Sequence, residues 1–136
     1  MYLFDEQINP VMLRTLQGYG PPFSLMHSIY DVFGKSIKDP ALIPQIAAGG
    51  YILVTCDRKM RNRRGKDGHY YILKEYDQRV LFLPRGFSTS KMRLSEQMAF
   101  LSKYWPSIHQ QVCDSTARLA NIHPNGTVVT HMEIYT

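Results

Sequence analysis

Cysteine is scarce in this chain. Cys56 and Cys113 are the only two in 136 residues, far apart and without CxxC spacing, which excludes a disulfide framework and a cysteine zinc site. The five histidines (His27, His69, His109, His123, His131) form no HxxH or HExxH pair, so histidine zinc signatures are missing too. No apolar run approaches the roughly 20 residues of a membrane span. No basic leader precedes the first apolar run, which Met1 itself opens. The expectation is a cytoplasmic chain without a membrane segment. There is no internal repeat or low-complexity tract. Hydrophobic residues make up 44% and charged residues 20%, enough apolar material for one core without staples and hence one domain over residues 1–136.

Acids are also in short supply. Sixteen Lys and Arg face eleven Asp and Glu, a net charge of +5. The excess is concentrated: Arg58 to Lys66 holds six basic side chains in nine positions and no acid. A charge run of this kind reads either as a solvated face or as a nucleic-acid contact. It follows directly on Tyr51–Cys56, an apolar run that stops at Asp57. Met1–Phe4 is a second such run and stops at Asp5–Glu6. Apolar runs like these read as buried strands, and open sheets carry functional groups just beyond strand carboxyl ends.

Between these runs the chain alternates. Asn9–Pro10 is an N-cap with proline at the first helical position, and Gly18 and Gly20 end the helix that follows. Pro21–Pro22 precedes a strand expected over 23–29. Asp39–Pro40 repeats the cap-and-proline device before a helix that Gly49–Gly50 stops. Residues 68–77 read as a short helix and Arg79–Leu83 as a strand. Ser88 or Thr89 is expected to start a helix through Met92, Leu94, Met98, Leu101 and Tyr104, interrupted at Trp105–Pro106, with a second helix to about Ser115. Thr127–Tyr135 alternates like a strand. The pattern predicts an α/β fold with a mostly parallel central sheet. Residues 1–86 would form the core with the acidic site and basic loop, and 87–136 a C-terminal extension of helices and an appended strand.

If the strands at 1–4 and 51–55 are parallel neighbours, Asp5 and Asp57 emerge at one edge, where a divalent cation would offset their repulsion. Asp39 fits two descriptions equally, a third ligand or the N-cap of its helix. Glu6 is either outer-shell or solvent-facing. Asp67 either completes the cluster or neutralises its basic neighbours. Tyr70, Tyr71 and Tyr76 fit packing beside the sheet better than stacking on bases.

The elements Leu3–Phe4–Asp5–Glu6 with Pro10, Asp39 before a helix, and Leu53–Val54–Thr55–Cys56–Asp57–Arg58–Lys59–Met60–Arg61 together resemble the PIN-like ribonucleases of VapC-type toxins, short PIN-like branch. Arg79–Pro84 and Tyr104–Ile108 are similar to that branch as well. The resemblance implies a three-layer α/β/α PIN-like sandwich and metal-dependent hydrolysis of RNA. Asp5, Asp39 and Asp57 would be the catalytic acids holding Mg²⁺ or Mn²⁺, a metal-activated water would attack phosphorus, and Arg58, Lys59, Arg61, Arg63 and Arg64 would hold the RNA backbone. It also implies a type II toxin with a cognate antitoxin, and homodimers are common among such proteins. Where the branch commonly carries a Glu after the basic element, Asp67 is the one acid here. A catalytically idle PIN-like module that binds RNA or protein is the alternative. A response-regulator-like pocket ranks third, because no Lys follows Arg79–Leu83.

Overall fold

Short apolar runs separated by capped helices assemble here into one sheet covered on both faces. The computed structural model describes residues 1–88 and 90–136; Thr89, one of the two expected helix starts, lies outside them. The strands are β1 (Tyr2–Phe4), β2 (Met26–Ser28), β3 (Ile52–Thr55), β4 (Val80–Phe82), β5 (Leu119–Ile122) and β6 (Val128–Met132), arranged β2-β1-β3-β4-β5-β6. The first five are parallel, and β6 runs antiparallel to β5. The helices are α1 (Pro10–Gln17), α2 (Ile29–Phe33), α3 (Leu42–Ala48), α4 (Tyr70–Glu75) and α5 (Leu94–Cys113). The architecture is α/β with a mostly parallel central sheet, consistent with a three-layer α/β/α arrangement.

Strand side chains alternate between two cores. Tyr2, Phe4, Val54, Leu81 and Ile122 pack with α1 and α5, while Leu3, Leu53, Val80, Phe82 and Leu119 pack with α2, α3 and α4. Burial on both faces is why these strands read as unbroken apolar runs rather than as alternating ones. Trp105 anchors the first core, edge-on to Tyr2 at 4.6 Å, tilted against Phe4, and donating its indole N–H to the Pro22 carbonyl at 3.2 Å.

Several local expectations hold. Asn9 caps α1, its Oδ1 accepting from the amides of Val11 and Met12 at 2.9 and 3.3 Å. Gly50, with φ +72°, turns the chain from α3 into β3. Others are corrected. Residues 23–25 form a 3-10 turn, the strand is only Met26–Ser28, and Ile29 already opens α2. Asp39 is not the N-cap of α3: Ala41 takes that place, and Asp39 instead closes an Asx turn, accepting from the Ala41 amide at 3.0 Å.

Trp105–Pro106 does not interrupt the long helix, which runs unbroken through it from Leu94. Leu101, Trp105, Ile108 and Val112 form one buried stripe, while Pro106 and Ser102 are exposed. The carbonyl that loses its donor to the proline is therefore solvated, and burying the stripe outweighs the roughly 3 kcal/mol a mid-helix proline costs. Finally, among the described residues 87–136 contributes one helix rather than two, and its appended strand is preceded by an unexpected one, β5, inside the parallel set.

Candidate functional site at the carboxyl edge of the sheet

The strand order reverses at β1, whose neighbours are β2 on one side and β3 on the other. This is the order 2-1-3-4-5 of flavodoxin-like doubly wound sheets, and its switch point lies outside the carboxyl ends of β1 and β3. Phe4 pairs with Val54, so Asp5 and the segment Thr55–Asp57 leave the sheet side by side.

Asp5 is fully buried. Its Oδ2 accepts from the Thr55 hydroxyl and from the Cys56 amide at 3.3 Å, and its Oδ1 accepts from the Gln7 amide at 3.0 Å. Burial, with a smaller push from Glu6, raises its pKa to about 6 against the pull of these donors. No cationic side chain pairs with it among the described residues. Asp57 is half-buried; its backbone amide donates to the Thr55 hydroxyl at 3.0 Å, so Thr55 joins the Asp5 carboxylate to the backbone of Asp57. One Asp57 oxygen caps the 3-10 turn Arg58–Arg61 by accepting from the Lys59 amide at 3.1 Å.

Glu6 and Asp39 have other engagements. Glu6 accepts from the Ser36 hydroxyl at 2.6 Å and the Ile37 amide at 3.2 Å, tying the loop that carries Asp39 to the end of β1. Asp67 is half-buried in the basic loop. Among the described residues no three His, Cys, Asp or Glu side chains converge closely enough to grip one ion. The sheet thus brings Asp5 and Asp57 to one edge, and leaves Asp39 and Asp67 on flanking loops. Cys56 donates to Gln7 Oε1 at 3.0 Å, and burial pushes its thiol up to about 12, so it is a protonated structural group rather than a nucleophile.

Arg58 and Arg61, three residues apart on a 3-10 turn, share one side. Both donate to Asn121 Oδ1, at 2.9 and 3.0 Å, and Arg58 also donates to the Leu83 carbonyl at 3.1 Å. The Arg61 guanidinium lies 5.2 Å from the centre of the Phe82 ring. Burial first, then neighbouring arginines, pulls both guanidinium pKa values below their ordinary range. None of the loop's basic residues pairs with a carboxylate among the described residues.

Three grooves meet on these two arginines. One of about 420 Å³ runs beside Asp57, Lys59, Arg85 and Lys91. A second, about 560 Å³, extends from Arg61 past Arg63 and Arg64 to His131. A third, about 290 Å³, opens between Arg58, Arg85 and His123. The loop itself is shaped by Gly68, packed so tightly that a Cβ there would stand 2.4 Å from the Asn62 carbonyl oxygen. Arg63 leaves the loop to lie over the Tyr70 ring at 4.4 Å, and the buried Tyr70 packs against Tyr135 instead of facing solvent.

Arg85, Lys91 and Asn121 are additions to this edge beyond the residues expected from the sequence, and His131 joins the groove of Arg61 from beside the start of β5. Arg85 has a signal, since the turn Pro84–Arg85–Gly86 follows an expected strand and must emerge at the same edge. Asn121 has none unless β5 is recognised as a strand. A response-regulator-like pocket calls for a lysine after the last parallel strand; that strand is β5, and His123–Pro124 follows it. No family model, curated protein or solved structure matches the chain, so the reading of this edge rests on its own geometry.

Proposed function

We propose that this chain is a metal-dependent ribonuclease of the PIN-like type, the toxin half of a toxin–antitoxin pair, cutting RNA at the carboxyl ends of β1 and β3. The observation that carries the proposal is a buried acid, Asp5, with no cationic partner among the described residues at the switch point, linked through Thr55 to the Asp57 backbone amide, beside a cationic band none of whose basic side chains pairs with a carboxylate among the described residues. A polyanion suits the band, and a divalent cation suits the acids.

The donor set fits Mg²⁺ or Mn²⁺. Its charged members are carboxylates, the ligands of hard cations, and Mg²⁺ is commonly held by one or two carboxylates plus substrate phosphate, keeping several waters. Asp5 and Asp57 would hold it; Asp39 closes its own Asx turn and Asp67 lies in the basic loop. A bound ion supplies an activated water and offsets charge on the phosphoryl oxygens.

The chain's own residues do the rest. Thr55 fixes the Asp5 carboxylate, and the 3-10 turn fixes Asp57. Arg58, Lys59 and Arg61 set the register of the RNA backbone without reading its sequence.

Cleavage of single-stranded and structured RNA with Mn²⁺, with Mg²⁺ and with EDTA tests the proposal. Cleavage is expected to require metal, to disappear in Asp5→Asn and Asp57→Asn, and to survive in part in Asp39→Asn. Metal-independent cleavage, or full activity in Asp57→Asn, would sink it. The idle RNA-binding module is favoured by one observation, that protein donors already engage both oxygens of Asp5. It expects no cleavage, with salt-sensitive RNA binding that persists in Asp57→Asn.

A further inference from the structure

Asn121 is a neutral amide holding two guanidinium groups on one oxygen. Arg58 is further fixed by the Leu83 carbonyl, and its buried Nε has no partner. Arg61 is braced over Phe82. The two like charges are thus locked side by side, their repulsion offset by the Asn121 amide, the Leu83 carbonyl and the Phe82 ring but by no carboxylate among the described residues. An anion seated over the pair would supply the missing charge and acceptors for the remaining guanidinium N–H groups.

The charge also continues into the neighbouring grooves. Arg61 is shared with the groove of Arg63 and Arg64, and Arg58 with that of Lys59 and Lys91. A chain of phosphates engages more than one of these grooves, whereas one carboxylate from a protein partner uses a single point.

We propose that Asn121 is the positioning residue of a phosphodiester cradle, aligning Arg58 and Arg61 on one phosphate of the bound RNA strand. The cradle rests on the RNA reading above and deepens it by naming where the backbone is gripped. An amide is required: aspartate at 121 would pair with both arginines, occupy the cradle with its own charge and leave the fold intact or firmer.

The test titrates the full chain with a labelled oligouridylate in EDTA over a range of salt. Asn121→Asp is expected to weaken binding by about tenfold or more, because charge-assisted hydrogen bonds to the phosphate are forfeited. It should also flatten the dependence of log affinity on log salt by about 0.7 for each phosphate no longer neutralised, with no fall in melting temperature. Asn121→Ala keeps both charges but frees them, so affinity falls several-fold while the salt slope stays. Unchanged affinity and slope in Asn121→Asp overturn the cradle while leaving RNA binding intact; should that variant not fold, unchanged affinity in Asn121→Ala does the same. If the wild type binds no RNA, the RNA reading itself fails. The cradle is then judged by inorganic pyrophosphate: shifts of the Arg58 and Arg61 Nε–H resonances that vanish in Asn121→Asp uphold it, and no shift in the wild type overturns it.

Discussion

Replacing Asp5 by Asn should make the protein's stability less dependent on pH, in a direction the burial of Asp5 dictates. The carboxyl group is fully enclosed, and its pKa stands at about 6 against an ordinary 3.8. Because the folded value is the higher one, the folded state holds the proton more tightly than the unfolded chain. The associated stability is fully present below about pH 3.8 and is lost as pH rises through about 6. A gap of about two units corresponds to about 3 kcal/mol lost over that window.

The assay is urea denaturation of wild type and Asp5→Asn across that range, since the amide does not titrate. The difference between the two should drift by about 2–3 kcal/mol against the wild type as pH rises. Asn still accepts from Thr55 but turns an N–H toward the Gln7 amide, so a constant offset is expected beneath the drift. Near neutral pH, Mn²⁺ at about a hundred times its Kd should restore about 2.7 kcal/mol to the wild type and nothing to the variant. A pH-independent difference would refute the account of Asp5 as a buried acid without a counter-charge, and equal stabilisation of both proteins by Mn²⁺ would refute its part in metal binding.

Two further outcomes follow from the packing. Gly68→Ala places a methyl 2.4 Å from the Asn62 oxygen and 2.7 Å from that of Arg64. The basic loop must open, costing about 1–3 kcal/mol and weakening RNA affinity measured by anisotropy; wild-type affinity would show that the loop's shape is irrelevant. Pro106→Ala should raise stability by about 1–3 kcal/mol by restoring a backbone donor in mid-helix. A drop in melting temperature on thermal denaturation would mean that residues 94–113 are not one helix.

Much of the fold is legible in the sequence because its signals are short-range. The Asn9–Pro10 cap, the Gly49–Gly50 stop and the apolar runs of β1 and β3 each depend on neighbours a few residues away, and each appears where expected. The helix through Pro106 escapes the same local logic. Local chemistry says that proline interrupts, and only the burial of Leu101, Trp105, Ile108 and Val112 on one core overrules it. Likewise Asp39 before Pro40 has the chemistry of a cap, yet the chain turns once more before α3 begins.

By itself, then, the sequence determined the capped helix α1, the apolar strands β1 and β3, the two strand-terminal acids and the basic loop, since periodicity, capping and charge runs are local properties. Tertiary structure alone decided what stands beside them. Leu119–Ile122 becomes a strand by pairing with β4, and that pairing carries Asn121 across about sixty positions of chain to Arg58 and Arg61. His131 reaches the groove of Arg61 through the pairing of β6 with β5, and strand order is set by how both faces of the sheet are covered, which no short stretch of residues encodes.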